Sequence, residues 1–325
     1  MSINSLNNFP SSHKIFKPSE PLYVFDVGAR RGFHPVFNNF KPIVKIGFEP
    51  SKIECDLLNL SKNSDEHYYQ LALGNNDESI FFYNTKNPGS SGILEPNKSY
   101  WSRFAEADNL EVTSKDKINV TTLDNFFKSN SIKDCDFIKI DTEGFDLMVL
   151  QGGVKTLSKY SLGVMSEVYF NPVRKNLPFF GKTHELMEEC GLSLYILETF
   201  KNGKRKFTKH NNLKSFDTGQ IVWGDAIFLR DPLKDQHSDN MFKWTIEKYK
   251  KLIFLYEIFN LDDCAYELID FLNQEKLLNV QEINQLRKLF IKKSLKNKFL
   301  NFSYNNIPFN KILPKSFRKI IRKFI

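Results

Sequence analysis

The chain has 325 residues, 41% of them apolar and 31 of them Phe, enough to bury a substantial core in one large domain or two small ones. Its formal charge is +8, but residues 281–325 hold twelve Lys or Arg against one acid, Glu282, so the first 280 residues carry a net −3. A near-neutral body with a basic appendage excludes a nucleic-acid-binding domain, and the polar start broken by Pro10, with no run of about 18 apolar residues anywhere, excludes a secretory leader and a bilayer span.

Leu22–Val27 reads as an apolar strand, followed by a glycine turn and a short segment that Pro35 lets start but not continue as a helix. Ile43–Phe48 is a second strand. A helix begins at Pro50, with Ile53, Leu57, Leu58 and Leu60 as its apolar stripe. Tyr68–Leu73 reads as a third strand and Ser79–Tyr83 as a short extended piece. Residues Asn84 to Lys117, polar and aromatic without clear period, read as a functional loop or lid. Ile118–Thr122 and a helix over Leu123–Ser129 lead to the strand Phe137–Ile140. A helix after Gly144 buries Phe145, Met148, Val149 and Leu150. Strands follow at Leu162–Glu167, Leu192–Leu197 and Ile221–Leu229, the last broken near Gly224, with a helix at His184–Cys190 and a basic loop at Lys201–Lys209. Strands alternating with helices predict an α/β fold with a Rossmann-like, doubly wound and mostly parallel sheet. Beyond Asp239 the apolar spacing turns helical. The chain thus divides into a polar segment 1–20, an α/β domain 21–232 and a helical, basic C-terminal extension 233–325.

Three strand ends carry the chemistry, because ligands of open α/β sheets settle beyond the carboxyl ends of the strands. The first reads Asp26-Val27-Gly28-Ala29-Arg30-Arg31-Gly32, the second Phe48-Glu49-Pro50, the third Asp141-Thr142-Glu143-Gly144. The first lacks the middle glycine of the dinucleotide fingerprint, which weakens a nicotinamide reading. A cofactor without phosphate, S-adenosylmethionine (SAM), suits these groups better. Asp26, Gly28 and Gly32 can meet its amino-acid end. Glu49, 17 residues past Gly32, can accept from the ribose diol. Asp141 and Glu143 alternate on an extended segment and so can converge, either as the base that takes a proton from an acceptor hydroxyl or as holders of a divalent ion, Mg or Mn, a version not favoured. The competing reading is that Glu143 caps the next helix. Glu167 ends a further strand and is a weaker catalytic candidate. His184 reads as an ordinary surface or packing residue within a helix.

The series Phe25-Asp-Val-Gly-Ala, Gly47-Phe-Glu-Pro, Ala72-Leu73-Gly74, Ser90-Ser91 before Leu94, Thr122-Leu123-Asp124, Phe137-Ile-Lys-Ile-Asp-Thr-Glu-Gly-Phe-Asp and Asp225-Ala-Ile-Phe-Leu229 resembles the FkbM-type SAM-dependent methyltransferases, from about Tyr23 to Arg230. The resemblance implies a class I fold and methylation of hydroxyls, often of sugars. It implies SAM at Asp26, Gly28, Ala29, Arg30, Gly32, Glu49, Pro50, Ala72, Leu73 and Asp141, and an acceptor near Asp141, Glu143, Ser90 and Ser91. Arg30-Arg31 departs from the family, which carries Asn and a small or polar residue there. The acceptor expected is a saccharide or glycan, lipid-linked or from a surface polysaccharide. The alternatives are a small-molecule hydroxyl or amine, and a silent SAM-fold binding module.

Cys55, Cys135, Cys190 and Cys264 are scattered and read as reduced thiols of a cytoplasmic protein. The tail mixes Leu286, Leu289, Phe290, Leu295 and Phe299 with lysines at helical spacing, and a similar mixture recurs in Phe317–Ile325. Such a tail suits peripheral contact with an anionic membrane at its inner face. The rival reading is that its apolar face packs on the domain.

Overall fold

The computed structural model describes residues 10–200, 204–206, 219–235 and 241–306. The expected loop Lys201–Lys209 is described only over 204–206, and the second apolar-basic stretch of the tail lies outside the described residues.

The strands are β1 Leu22–Val27, β2 Ile43–Phe48, β3 Glu66–Tyr69, β4 Ala72–Gly74, β5 Glu78–Thr85, β6 Val112–Thr122, β7 Phe137–Ile140, β8 Gly163–Tyr169, β9 Ser193–Phe200 and β10 Trp223–Leu229. Seven form one sheet in the order β3-β2-β1-β7-β8-β10-β9. The pairs from β3 to β8 are parallel, and β10 runs antiparallel to both its neighbours. The other three form a small sheet, β4-β6-β5.

Alternate residues of a strand face opposite layers, and β1 shows the consequence. Val24 joins a core with Phe16, Phe254 and Leu268, whereas Phe25 and Val27 join one with Phe48, Phe126 and Val149. β10 divides likewise, Ala226 and Phe228 to one side, Ile227 and Leu229 to the other. The sheet is therefore doubly wound, as its near-continuous apolar strands require. One face is covered by α4 Leu123–Ser129, α5 Asp146–Gln151, α6 Val154–Tyr160 and α7 Phe180–Glu189, which follow α1 His13–Phe16, α2 Lys52–Ser61 and α3 Lys98–Trp101 in the chain. The other is covered by α1 and the C-terminal helices α9 Ile246–Ile258, α10 Asp262–Gln274 and α11 Val280–Asn306, beyond the short α8 Pro232–Asp235.

A buried charge cluster pins α9 beneath the sheet. Lys248 and Lys251 approach Asp136 at 2.7 and 2.8 Å, Lys248 also reaches Asp134 at 2.7 Å, and the Tyr23 amide donates to Asp136 at 2.9 Å. In α11 the expected apolar positions Leu286 and Phe290 are buried in this same core, and Leu289 packs against it. That part of the tail's apolar face is thus occupied by the fold. Among the described residues no helix is long and apolar enough to cross a membrane.

Several expectations need correction. α2 starts at Lys52, with the Ser51 hydroxyl capping it by accepting from the Glu54 amide. Three of its four expected apolar positions face solvent: Ile53, Leu57 and Leu60 are exposed, while Leu58 packs beside the buried Cys55 on the opposite side. At 3.6 residues per turn these are different faces. The stretch Tyr68–Leu73 is two strands, β3 and β4, in different sheets. Residues 112–117 are not loop but the first half of β6, whose mostly exposed side chains carry no apolar signal. Gly224 does not break β10; a Cβ there would lie 2.3 Å from the Glu198 carbonyl oxygen, so only glycine lets β9 approach.

Candidate functional site

Register places the acids. Asp26 pairs with Lys139 across the β1–β7 ladder, so their side chains are direct neighbours, 3.2 Å apart. Lys139 also lies 3.5 Å from Asp141, two residues on. Burial pushes the Asp26 carboxyl up to about 6, against the pull of Lys139. Burial opposes the Lys139 charge, but Asp26 and then Asp141 outweigh it and hold its pKa above the ordinary value. Glu49 follows β2; its Oε1 accepts from the Ser51 amide at 2.9 Å, and burial raises its carboxyl.

The turn between β1 and the following segment is built for close approach. Gly28 has φ +85°, and a Cβ on it would stand 2.1 Å from the Asp141 carbonyl oxygen. The amides of Gly28 and Ala29 both donate to the Phe48 carbonyl at 3.0 Å, and Gly32 turns back with φ +72°. Strand ends β1, β2 and β7 are thereby drawn around one cavity of about 780 Å³, within the roughly 300–1,000 Å³ range of small-molecule sites. Asp26, Gly28, Arg30, Gly32, Glu49, Pro50, Ala72, Leu73, Asp141 and Glu143 all line it, as does Ser91 on the opposite wall. Three expected site residues do not. Ala29 is buried behind the turn, Ser90 engages its neighbours through its backbone amide and carbonyl, and Glu167 lies outside the lining.

Asp141 and Glu143 reach the cavity by different routes. β7 ends at Ile140, so the alternation that would align the two acids does not continue. Asp141 presents a half-exposed carboxylate. Glu143 sits at φ +58°, with Gly144 at +96°, and its carboxylate is gripped at 2.7 Å by Arg174, whose side chain is 1% exposed. Burial lifts Glu143 to about 6 despite this partner. Glu143 does not cap the next helix. Asp146 secures that turn, accepting from the Gly144 amide and the Thr142 hydroxyl, both at 3.1 Å; burial and then Asp141 push its carboxyl to about 7.

Glu167 stands in a cross-strand row with Asp225 and Glu198. It accepts from the Tyr169 phenol, and burial, then Glu143 and Asp141, raise it well above the usual carboxylate range. His184 stacks on Phe180 within α7, as expected of a packing residue. All four cysteines are free, and three are buried. Among the described residues no group of three or more His, Cys, Asp or Glu is placed to hold a metal ion.

Sequence reading missed Lys139 and Arg174. The first was legible, since a Lys two residues before Asp141 on a strand shares its face. The second comes from a loop some thirty residues away and carries no local signal.

The cavity fits SAM by its own features. At Gly28 the backbone packs where any side chain would collide, and two buried acids, Asp26 and Glu49, stand at neighbouring strand ends, where a ribose diol and an amino group can be met.

A family model described as the methyltransferase FkbM domain matches residues 26–194. The chain is 21% identical over 270 residues to Protein TIC 214 of Cuscuta reflexa, covering 80% of this chain but only 14% of that protein. Among solved structures it is similar to magnesium protoporphyrin IX methyltransferase of Synechocystis PCC 6803 with bound SAM, at 7% identity and TM-score 0.32, over 70% of this chain and 78% of that one. A putative SAM-dependent methyltransferase of Listeria monocytogenes matches at 7% identity and TM-score 0.36, over 67% and 97% of the two chains.

Proposed function

The chain belongs to the FkbM family of methyltransferases, and from that premise we propose that it transfers a methyl group from SAM to a hydroxyl of a saccharide or glycan. SAM supplies an electrophilic methyl on its sulfonium. The chain's own residues bind, orient and deprotonate. Glu49, with one oxygen held by the Ser51 amide, would accept from the ribose hydroxyls with the other. Gly28 and Gly32, beside Asp26, would let the amino-acid end come close to the backbone. Asp141 takes the proton from the acceptor hydroxyl, since an alcohol is a poor nucleophile until that proton leaves.

The observation that carries this reading is the half-exposed Asp141 carboxylate at the rim of the cavity that also holds Asp26 and Glu49. Across the cavity, Asn84, Asn87 and Ser91 place amides and a hydroxyl among the apolar Phe82 and Ile93, a mixture that suits the polar rim and apolar faces of a sugar ring. The basic stretch Lys201–Lys209 and the basic tail favour an anionic carrier such as a lipid-linked glycan. A cytoplasmic setting, with the lysines of the C-terminal tail near the inner membrane face, belongs to the same reading.

The test is incubation of the full chain with SAM and a panel of methyl hexosides and UDP-hexoses. A sugar heavier by one methylene, with stoichiometric S-adenosylhomocysteine, supports the reading. Methylation of amino sugars at nitrogen, with neutral sugars untouched, would overturn the hydroxyl assignment.

A further inference from the structure

We propose that Arg174 is a positioning residue for methyl transfer: one guanidinium sets the acceptor-side loop and the carboxylate end of β7 relative to each other. The proposal rests on the transfer reading above and goes beyond it.

The geometry is that of a three-way clamp. Arg174 Nη2 donates to Glu143 Oε2 and to the Ser90 carbonyl, both at 2.7 Å, and Nη1 donates to the Leu94 carbonyl at 3.1 Å. Two of these acceptors belong to the segment that walls the cavity through Gly89, Ser91 and Ile93. The third is the acid two residues beyond Asp141. No other described side chain joins that wall to the strand end by hydrogen bonds or ion pairs.

The surrounding backbone makes the clamp stiff. Pro96 and Arg174 form an antiparallel bridge, the Lys175 amide donates to the Glu95 carbonyl at 2.8 Å, and the Asn97 amide donates to Val173 at 2.9 Å. The loop is otherwise fastened to β5: the Thr85 amide donates to the Ser91 hydroxyl at 3.0 Å, and Tyr83 and Gly92 exchange backbone hydrogen bonds at 2.8 and 3.2 Å. Gly92 completes the fit, because a Cβ there would come within 3.1 Å of the Glu143 Cβ.

The chemistry of the residue matters as much as its place. A guanidinium presents five donors in a fixed plane, so it can satisfy a carboxylate and two carbonyls at once, whereas a lysine ammonium acts as a point charge. A fully buried cation must be paired to be tolerated. Glu143 supplies that pairing while holding a left-handed backbone that disfavours a side chain. Glu143 is thereby committed to Arg174, and Asp141, without such a clamp, is left as the group that meets the acceptor.

The test uses the full chain, SAM, and the methyl hexoside that the wild type methylates fastest. Arg174→Lys keeps the charge and breaks the fork. It should leave SAM affinity within about two-fold but lower kcat about 10- to 100-fold and raise KM for the sugar, since a misplacement of about 1 Å suffices for that loss. Glu143→Gln keeps an oxygen acceptor for Arg174 and should cost less than Arg174→Lys. The double variant should be no worse than Arg174→Lys alone, because the two act as one unit. Should Arg174→Lys fold poorly, Gly92→Ala perturbs the same junction and should show the same split between kcat and SAM affinity. Wild-type constants in Arg174→Lys, or equal loss of SAM binding and kcat, overturn the proposal. So does a larger loss in Glu143→Gln, which would make Glu143 the reacting group. A wild type that binds SAM but methylates no hexoside overturns the acceptor reading itself, and this proposal with it.

Discussion

Replacing Glu49 by Gln removes a charge while sparing local structure. Glu49 Oε1 accepts from the Ser51 amide at 2.9 Å, and Ser51 caps α2. A glutamine oxygen can take over that bond, so α2 keeps its start. The second carboxylate oxygen becomes an amide that donates, and this oxygen is the one available to ribose hydroxyls. Losing a charge-assisted hydrogen bond costs about 1.5–3 kcal/mol, which is a roughly 10- to 150-fold rise in Kd for SAM. Stability should change little, because burial already disfavours the Glu49 charge. Glu49→Ala should give a similar loss of affinity with an added loss of stability, since the Ser51 amide then has no partner. Calorimetric titration with SAM and denaturant unfolding, run on both variants, separate the two effects. A Kd for Glu49→Gln within two-fold of the wild type would refute the ribose assignment.

Gly28→Ala should abolish measurable SAM binding by calorimetry, because its Cβ would fall 2.1 Å from the Asp141 carbonyl oxygen at φ +85°; retained affinity would mean the turn is not the cradle. The carboxyls of Asp26, Glu143 and Asp225 are raised to about 6 and that of Asp146 to about 7. An acid whose folded pKa lies above its unfolded value of about 4 destabilises the fold as pH rises through that interval, so thermal unfolding should occur higher at pH 5.5 than at pH 8. A flat or reversed trend would contradict these raised values. Asp136→Asn leaves Lys248 with Asp134 at 2.7 Å but Lys251 with only a 3.5 Å partner. It should cost about 3 kcal/mol in denaturant unfolding, near the lower end for a broken buried pair, and a cost under about 1 kcal/mol would show that α9 is not pinned there.

What the sequence disclosed and what it withheld divide along physical lines. Strands β1, β2 and β7 were legible because each is a short apolar run closed by an acid or glycine, and their ends carry Asp26, Glu49 and Asp141. Residues that depend only on such a strand end were therefore placed in the cavity from the chain alone. The face of α2 was not legible, because the apolar positions Ile53, Leu57, Leu58 and Leu60 do not say which side of an edge helix meets the sheet, and of the four only Leu58 packs, beside the buried Cys55. The first half of β6 was hidden because its side chains are exposed and polar. The partnership of Glu143 with Arg174 was hidden for a different reason. It joins a strand end to a loop 31 residues on, and nothing in either neighbourhood encodes the other. Periodicity reports burial against a layer, and it is silent about a single long side chain crossing between two loops.

Methyl transfer itself is the most direct test. SAM carrying a ¹³C-labelled methyl, the full chain and the hexoside panel are followed by NMR, with Asp141→Asn in parallel. The label should move into an O-methyl environment on a sugar with wild type, and Asp141→Asn should slow this about 10²–10⁴-fold while still binding SAM. A label that stays on SAM, or that appears on nitrogen, or that transfers at the wild-type rate in Asp141→Asn, would contradict the account.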